Sequence, residues 1–270
     1  MPKVLKGSTA GRSPYDSLEL GVLLMSDRTR RQFLSTITGA AAGAYLMGVS
    51  LSAGAVLASA RIESKLASHD VSADTNPDSA FWLGAPAVFA DKNANGDEVA
   101  DYRMEVRLRW THTYLYFLFI CPYQQLYLKP DPRTDVETNE LWHWDVAEVF
   151  IGSNFQDIRR YKEFEVSPQA EWVDLDINLD RAHDSHGWKW NSGFHVAARI
   201  DSAAHRWYAF MQIPYASVDS RPAAVGNRLR VNFFLSEGRG AAHQQIAWQP
   251  THSPTFHVPK VFGILQLARH

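Results

Sequence analysis

Cysteine is nearly absent from this chain of 270 residues, in which Cys121 stands alone. A single cysteine cannot close an internal disulfide, so stability must come from a buried core or from bound ions. Cys121 directly follows the apolar residues Phe119 and Ile120. That position favours a buried structural thiol over a nucleophile.

Several motifs are also absent, and each absence removes a class of protein. The chain has no Cys-x-x-Cys-His, which excludes covalently attached c-type haem, and no Gly-x-Ser-x-Gly or phosphate-binding glycine loop. It has no block of Lys or Arg, so nucleic acid is not expected as a partner. Beyond residue 60, no apolar run is long enough to span a membrane.

The first 60 residues have the features of an export signal. Thr29-Arg30-Arg31-Gln32-Phe33-Leu34 has the twin-arginine pattern, and Ala58-Ser59-Ala60 is a small-x-small cleavage site after an apolar run. We therefore predict a twin-arginine signal peptide over 1–60, with Met25 as an alternative start. The protein is then periplasmic or secreted, with no membrane attachment after cleavage. An uncleaved anchor is the alternative, since Ile37 to Leu57 is long enough to span a bilayer.

Removal of this leader leaves 210 residues, with 21 basic and 26 acidic side chains and a formal charge of −5. This length suits one domain with a substantial core. We assign 61–80 to a linker or entry segment and 81–270 to the domain, which we expect to be monomeric. All nine tryptophans lie in the domain, and this number favours a stacking surface in addition to a core.

Alternation of apolar and polar residues with a period of two dominates the domain, with turn signals between the runs. One helical turn is expected at Tyr215–Asp219. About ten short strands without alternating helices predict an all-β fold, an antiparallel, jelly-roll-like β-sandwich. The predicted strands are Ala87–Ala90, Tyr102–Trp110, Tyr114–Cys121, Asp145–Gly152, Tyr161–Ser167, Glu171–Asn178, Phe194–Ile200, Trp207–Ile213, Leu229–Ser236, Gln245–Trp248 and Gly263–Leu267.

The strongest functional signal is the segment Trp142-His143-Trp144-Asp145-Val146-Ala147-Glu148-Val149-Phe150-Ile151. On a strand that begins near Asp145, Glu148 shares one face with Val146 and Phe150. The two tryptophans precede this strand, where a ring held by a rigid sheet suits stacking on the apolar face of a sugar. We assign Trp142 to ligand binding and Trp144 to closing the end of the sandwich.

This segment resembles the W-x-x-D-x-x-E-x-F-I motif of family 9 carbohydrate-binding modules, within a wider group of sandwiches that also holds haem-binding sensor domains. The resemblance runs through residues 71–268 as a chain of short motifs. Met211 and Gln212 depart from it, because acidic residues are more usual there. The further matching segments are Asp74…Asp78…Trp82…Ala85-Pro86, Tyr114-Leu115-Tyr116-Phe117, Met211-Gln212-Ile213-Pro214 and Pro259-Lys260-Val261-Phe262-Gly263.

The resemblance implies non-catalytic binding of a mono-, oligo- or polysaccharide, with a terminal sugar held between two aromatic rings. Trp142 matches the first ring, and Phe256 falls at the second, where the family has tryptophan. Glu148 matches a carboxylate that accepts sugar hydroxyls, whereas Glu165 stands where the family places a basic sugar contact. Three further candidates for the same rim are Trp172, Arg239 and Trp248.

Residues 161–177 have the pattern of an acidic hairpin. Glu163 and Glu165 share one face of their strand, and so do Asp174 and Asp176. If the two faces coincide, four carboxylates cluster. Three interpretations are open: a solvated acidic surface, a site for a hard cation such as calcium, which takes six to eight oxygens, or the acid/base pair of a glycoside hydrolase.

A second calcium candidate lies in a turn. Oxygen ligands stand at alternating positions in Asp91, Asn93, Asn95 and Asp97, and the residue between the last two, at position 96, is a glycine. This pattern resembles the start of a calcium loop, although Tyr102 replaces the glutamate of an EF-hand at the twelfth position. An ordinary surface turn is the alternative.

A haem-binding redox sandwich of the cell envelope is the main alternative function, because a protein exported in the folded state can carry a cofactor loaded before export. Its axial ligands would be Met104 or Met211 together with a late histidine. A carboxylate-pair hydrolase and a structural scaffold are further alternatives. His183 and His186 have ligand-like spacing, but a polar loop without a third partner favours solvation.

Overall fold

The computed structural model describes residues 60–181, 188–240 and 243–269. The predicted twin-arginine motif, the alternative start at Met25, and the His183 and His186 pair lie outside these ranges. Within the described ranges, no helix has the length and apolarity needed to cross a membrane.

The described residues form thirteen strands and one short α-helix, α1 (Tyr215–Val218). Three short 3-10 turns lie at Ala100–Tyr102, Leu141–His143 and Pro259–Val261. The strands are β1 (Arg61–Leu66), β2 (Ala87–Ala90), β3 (Lys92–Asn93), β4 (Met104–Trp110), β5 (Tyr114–Pro122), β6 (Val146–Gly152), β7 (Arg160–Val166), β8 (Trp172–Asn178), β9 (His195–Asp201), β10 (Arg206–Pro214), β11 (Arg228–Glu237), β12 (Gln244–Ala247) and β13 (Gly263–Ala268).

These strands pair in the order β8-β7-β6-β11-β13-β1-β4-β5-β10-β9, with β2, β3 and β12 attached at the side. The strand path folds over on itself, so that side chains of β5 face those of β11. Phe117 and Phe119 on β5 both contact Phe233 on β11, with ring centroids 5.7 and 6.3 Å apart. The result is the two-layered, all-β sandwich that the alternating pattern predicts, and that prediction is confirmed.

The eleven predicted strands are all present, with ends that shift by up to two residues. The pattern misses two strands. β3 has only two residues, and β1 has the polar composition Arg-Ile-Glu-Ser-Lys-Leu. β1 is parallel to both β13 and β4, so it joins the two halves of the sheet.

Of the two alternatives for 61–80, a linker or an entry segment, the linker is therefore wrong for 61–66. Ile62 and Ser64 are buried while Arg61 and Glu63 are exposed, which is the alternation of a half-buried strand. Beyond β1, the indole Nε1 of Trp82 donates to the carbonyl of Asp74 at 2.9 Å. Trp82 packs with Phe210 and neighbouring rings on the outer surface of β5 and β10, so this part of the segment also belongs to the domain.

Apolar side chains of β6, β7, β8 and β11 pack on both faces of that layer. One face joins the inner core between the layers, which contains Val149, Phe164 and Phe233. The other face carries a second cluster, called here the outer cluster. Its buried members are Leu141, Val146, Phe150, Tyr161, Val173, Leu175, Ile177, Trp188, Phe234, Ala247, Phe256 and Phe262.

Candidate functional site

Three glutamates lie together among the outer cluster. Glu148 on β6 pairs directly with Glu165 on β7, and paired residues on neighbouring strands share a face. Glu163 lies two residues before Glu165 and so points to the same side. One oxygen from each carboxylate lies within 4.8 Å of the other two, and the side chains are only 2%, 3% and 0% exposed for Glu148, Glu163 and Glu165. We call these three residues the glutamate triad.

The strand register separates the triad from the aspartates of the acidic hairpin. Glu163 pairs with Leu175 and Glu165 with Val173, whereas Asp174 pairs with Phe164, which lies in the inner core. The predicted cluster of four hairpin carboxylates is therefore wrong, and the hydrolase interpretation loses the pair on which it depended.

Each aspartate of the hairpin has its own partners on the opposite face. Asp174 accepts hydrogen bonds from the backbone N–H and the hydroxyl of Ser192. Asp176 forms an ion pair with Lys162, with 2.6 Å between Nζ and Oδ1. Periodicity placed each pair of carboxylates correctly along its own strand, but only the register between strands decides which pairs meet.

Burial in an apolar setting changes the acidity of the triad. It raises the pKa of Glu163 to about 7 and raises those of Glu148 and Glu165 well above the usual range. For Glu148 the charge of Glu163 adds to the effect, and for Glu165 the charges of both neighbours do. Within the triad, Glu163 therefore ionises first.

Four oxygens of the triad have no hydrogen-bond partner among the described residues: Oε1 of Glu148, Oε2 of Glu163 and both oxygens of Glu165. His257 lies nearby, with its Nε2 3.9 Å from Oε2 of Glu163. Its Nδ1 lies 2.7 Å from the hydroxyl of Tyr161, and its ring stacks on Phe150 at 5.3 Å. Tyr161 and Phe150 thus fix the imidazole beside the triad.

Trp142 and Phe256, the two predicted clamp rings, both belong to this face. Trp142 lies in the 3-10 turn before β6 and is a half-buried residue packed against the outer cluster. Phe256 follows β12 and stacks on Phe234 with ring centroids 4.1 Å apart and planes 16° apart. Phe234 is the register partner of Glu148, so Phe256 stands over the β11 neighbour of the triad.

Trp172 does not join this face. It is the first residue of β8 and pairs with Val166, so its ring packs with the inner core and meets Phe194 edge-on at 5.5 Å. Two shallow surface depressions flank the ring. The register turns the Trp172 side chain to the face opposite Glu165, but one depression also reaches Val173 and Leu175 of the outer cluster. A part for Trp172 in binding the same sugar stays a prediction.

Trp248 is also an inner-core ring, because it packs against Phe233 at 5.7 Å. Gly263 is the reason that the ring fits. A Cβ at Gly263 would lie 2.4 Å from Cη2 of Trp248 and 2.8 Å from the carbonyl of Ala60. The glycine of the closing motif therefore has a packing role, and Trp248 does not lie beside the triad.

Arg239 and Trp144 lie around Tyr127. The guanidinium of Arg239 lies 5.1 Å from the centre of the Tyr127 ring, and Trp144 stacks on the same ring at 4.6 Å. Asp145 accepts backbone N–H bonds from Tyr127 and Gly238, which ties this group together. The stacking agrees with the structural role predicted for Trp144, and it places Arg239 beside Tyr127, while a sugar contact of Arg239 stays a prediction.

The second calcium candidate forms a tight turn. The side-chain oxygen of Asn93 accepts the backbone N–H groups of Asn95 and Asp97, each at 2.9 Å. The amide of Asn93 donates to Asp97, and Asp91 forms ion pairs with Lys92 and Arg103. These bonds account for the turn, and calcium binding there stays a prediction.

The methionines and the cysteine considered above are all in the inner core. Met104, Met211 and Cys121 have no exposed surface. Burial raises the pKa of the Cys121 thiol well above its ordinary value, in agreement with an inert structural thiol. The haem interpretation would need one of these core methionines to leave its packing.

Sequence reasoning missed the roles of His257 and Arg230. Arg230 lies on the same side of β11 as Asn232 and Phe234, and its guanidinium donates to the carbonyls of Asn154, Ile158, Arg160 and Pro259. The alternation along β11 predicts that Arg230 is buried. Nothing in the sequence shows that its partners are backbone carbonyls, since these come from two distant segments, 154–160 and Pro259.

Comparisons with known proteins agree with this fold. A carbohydrate-binding module of family 9 from Caldicellulosiruptor kristjanssonii, solved with cellotriose, has a TM-score of 0.54 at 14% identity and covers 78% of this chain and 95% of its own. The same kind of module from that organism, solved with glucose, scores 0.55 at 14% identity over 78% and 97%. A Bacteroides uniformis protein proposed to bind carbohydrate scores 0.61 at 14% identity over 77% and 98%.

At this level of identity the solved structures define the class of fold, a carbohydrate-binding-module sandwich. The sequence profile described as carbohydrate family 9 binding domain-like matches residues 73–270, and the chain belongs to that family. A protein of Arthroderma benhamiae named "Extracellular protein" is 29% identical over 146 residues. That stretch is 49% of this chain and 64% of the relative, so the chain covers less than two thirds of its length.

Proposed function

We propose that this protein binds carbohydrate without catalysis, on the face of β6, β7 and β11 that carries the outer cluster. Trp142 and Phe256 stack on the apolar face of a sugar ring, and Glu148 with Glu165 accepts hydrogen bonds from its hydroxyls. The observation that carries the proposal is that these two rings and two carboxylates, which are far apart in sequence, lie on one face of one layer.

Membership in the family supports the substrate class. Aromatic stacking supplies apolar contact area, and hydrogen bonds to the carboxyl groups fix the orientation of the sugar. A small sugar buries little surface, so we expect modest affinity. We further propose that the protein works outside the cytoplasm after twin-arginine export, as a periplasmic or secreted protein.

The triad argues against a glycosidase. One oxygen from each glutamate lies within 4.8 Å of the other two, and the three residues are almost fully buried. A retaining hydrolase keeps its two carboxyls about 5–5.5 Å apart and an inverting one about 6.5–9.5 Å apart, on opposite sides of an accessible bond. The geometry of these glutamates suits binding better than bond cleavage.

Calorimetric titration of the full-length protein with glucose, cellobiose and xylobiose tests the proposal. We expect saturable binding that Trp142→Ala reduces at least about tenfold, because stacking contributes roughly 1–3 kcal/mol. Trp144→Ala is the matched control, since the same side chain is removed two residues away, where it stacks on Tyr127. Equal losses in both variants, or no binding of any glycan by the folded wild-type protein, would overturn the proposal.

A further inference from the structure

The glutamate triad gathers three carboxyl groups in a place that solvent does not reach. Glu148, Glu163 and Glu165 come from two neighbouring strands, and one oxygen of each lies within 4.8 Å of the others. A buried carboxyl group is unfavourable in its charged form unless it is paired or bound to a cation. The triad is therefore either protonated or bound to a cation, and a cation would displace its protons.

The unpartnered oxygens are a second observation, independent of the proximity of the three residues. Both oxygens of Glu165, which has no exposed surface, lack a hydrogen-bond donor among the described residues, and Glu148 and Glu163 each have one such oxygen. Buried polar atoms in native proteins are seldom left without a partner. Four such atoms on one small patch of sheet indicate a bound ligand that supplies positive charge.

Among the described residues, the cationic side chains near this face bond elsewhere, except that His257 forms a long ion pair with Glu163. Arg230 donates to four backbone carbonyls. Lys162 projects to the opposite face, where it pairs with Asp176. His257 stands 3.9 Å from Glu163, beyond hydrogen-bond distance. None of these contacts reaches the two oxygens of Glu165.

From this geometry we infer that the glutamate triad is a divalent-cation site with Glu148, Glu163 and Glu165 as ligands and calcium as the preferred ion. Three carboxylates supply up to six oxygens, which matches the six to eight ligands that calcium takes at 2.3–2.6 Å. Magnesium suits the site less well, because it gives up water reluctantly and the triad is almost dry. Oxygen ligands also favour such hard ions over zinc or copper.

A cation here would connect the two strands that carry the triad. β6 lies between β7 and β11, so an ion bound to Glu148 and Glu165 fixes the register of the layer beneath Phe256. The ion thus acts beyond the proposed sugar binding, as a support for the face that presents the rings. Ion binding is measured without sugar, so either proposal can fail while the other stands.

The test adds calcium, magnesium or manganese to metal-depleted full-length protein. Equilibrium dialysis with metal analysis and calorimetry measure the binding of each ion. We expect one calcium ion per chain at this site, at least about tenfold preference over magnesium, and a higher melting temperature with calcium. Glu165→Gln should weaken calcium binding at least about tenfold and abolish the melting shift. Glu148→Gln, on the other strand, should do the same, and circular dichroism shows that each variant is folded.

Asp97→Asn is the matched control, because it removes a carboxylate from the turn that is the competing calcium candidate. We expect this variant to keep the triad's ion. Retention of calcium by both glutamine variants together with its loss in Asp97→Asn would overturn the inference. So would a folded wild-type protein that binds no divalent ion at millimolar concentration, or one that binds glucosamine at the triad but no metal.

Discussion

Buried acidic groups are the residues that most distinguish this chain from an ordinary sandwich. Beside the triad, Glu237 at the end of β11 is 1% exposed, and both its oxygens lack partners among the described residues. Burial, with a contribution from the charge of Asp145, raises the pKa of Glu237 to about 9. Glu237 is therefore protonated in the folded protein at neutral pH.

Glu237 makes stability depend on pH in a definite direction. The pKa of Glu237 is higher in the folded state than in the unfolded state. Its contribution to the free energy of unfolding is therefore complete below about pH 4.5 and is lost as the pH rises toward 9. We expect Glu237→Gln to raise the free energy of unfolding at pH 8 by roughly 1–3 kcal/mol and to flatten its decline with pH. Urea denaturation at pH 5 and pH 8 measures both effects.

The control for Glu237→Gln is Glu98→Gln, since the Glu98 side chain is 80% exposed. This variant should change stability by less than about 0.5 kcal/mol at either pH. A wild-type protein that is equally stable at pH 5 and pH 8, or a destabilised Glu237→Gln at pH 8, would show that Glu237 is charged in the native state.

Gly263 gives a second prediction at the scale of one residue. A Cβ there would meet Trp248 and the backbone of Ala60 at distances that require the structure to shift. We expect Gly263→Ala to lower the free energy of unfolding by about 1–3 kcal/mol. In the double variant Gly263→Ala/Trp248→Ala, the loss in free energy of unfolding should be smaller than the sum of the two single losses. Removing the Trp248 ring relieves its clash with the new Cβ. Strict additivity in chemical denaturation would contradict the contact.

At the scale of elements, β1 has a role that its composition conceals. It is the parallel strand between β13 and β4, and it joins the two halves of the strand path. Ile62 faces the inner core, and both hydrogen-bonding edges of β1 are paired with neighbouring strands. Without β1, the edges of β13 and β4 would be open to pairing with other chains.

Deletion through Leu66 should therefore abolish the cooperative unfolding transition or cause aggregation. Deletion through Ser59, which keeps β1 intact, should leave the melting temperature within a few degrees of the full-length value. Differential scanning calorimetry and light scattering compare the two. If both truncated proteins melt alike, β1 is dispensable and the sheet closes without it.

Periodicity predicted the strands well because most have strong alternation and β-branched or aromatic residues, as in β5 and β10. It missed β1 because Arg61–Leu66 offers only two buried positions and no turn signal. The site shows the same limit. Glu148, Glu165, Trp142 and Phe256 were predicted through the family motif, and the structure places all four on one face.

Trp172 and Trp248 do not join that face, for a different reason. Each is close in sequence to a correct candidate, but its strand position turns its ring toward the inner core. The hairpin aspartates were lost through register, which alternation within a strand cannot specify. His257 was overlooked because its importance comes from Tyr161 and Glu163, nearly a hundred positions away in the chain.

At the scale of the whole molecule, the two faces of one layer divide the work. The face toward β5 and β10 forms the inner core that stabilises the sandwich. The opposite face carries a second apolar cluster with three buried carboxylates, which exceeds what stability alone needs. We therefore locate both sugar binding and the proposed cation on this second face.

A crystal structure of the full-length protein soaked with cellobiose tests the central claim most directly. The account predicts a sugar ring stacked on Trp142 and Phe256 on the outer face of β6, with a hydroxyl directed toward Glu148. A sugar bound only at the depression between Trp172, Phe194 and Val196 would contradict the account, and so would an unoccupied face at saturating cellobiose.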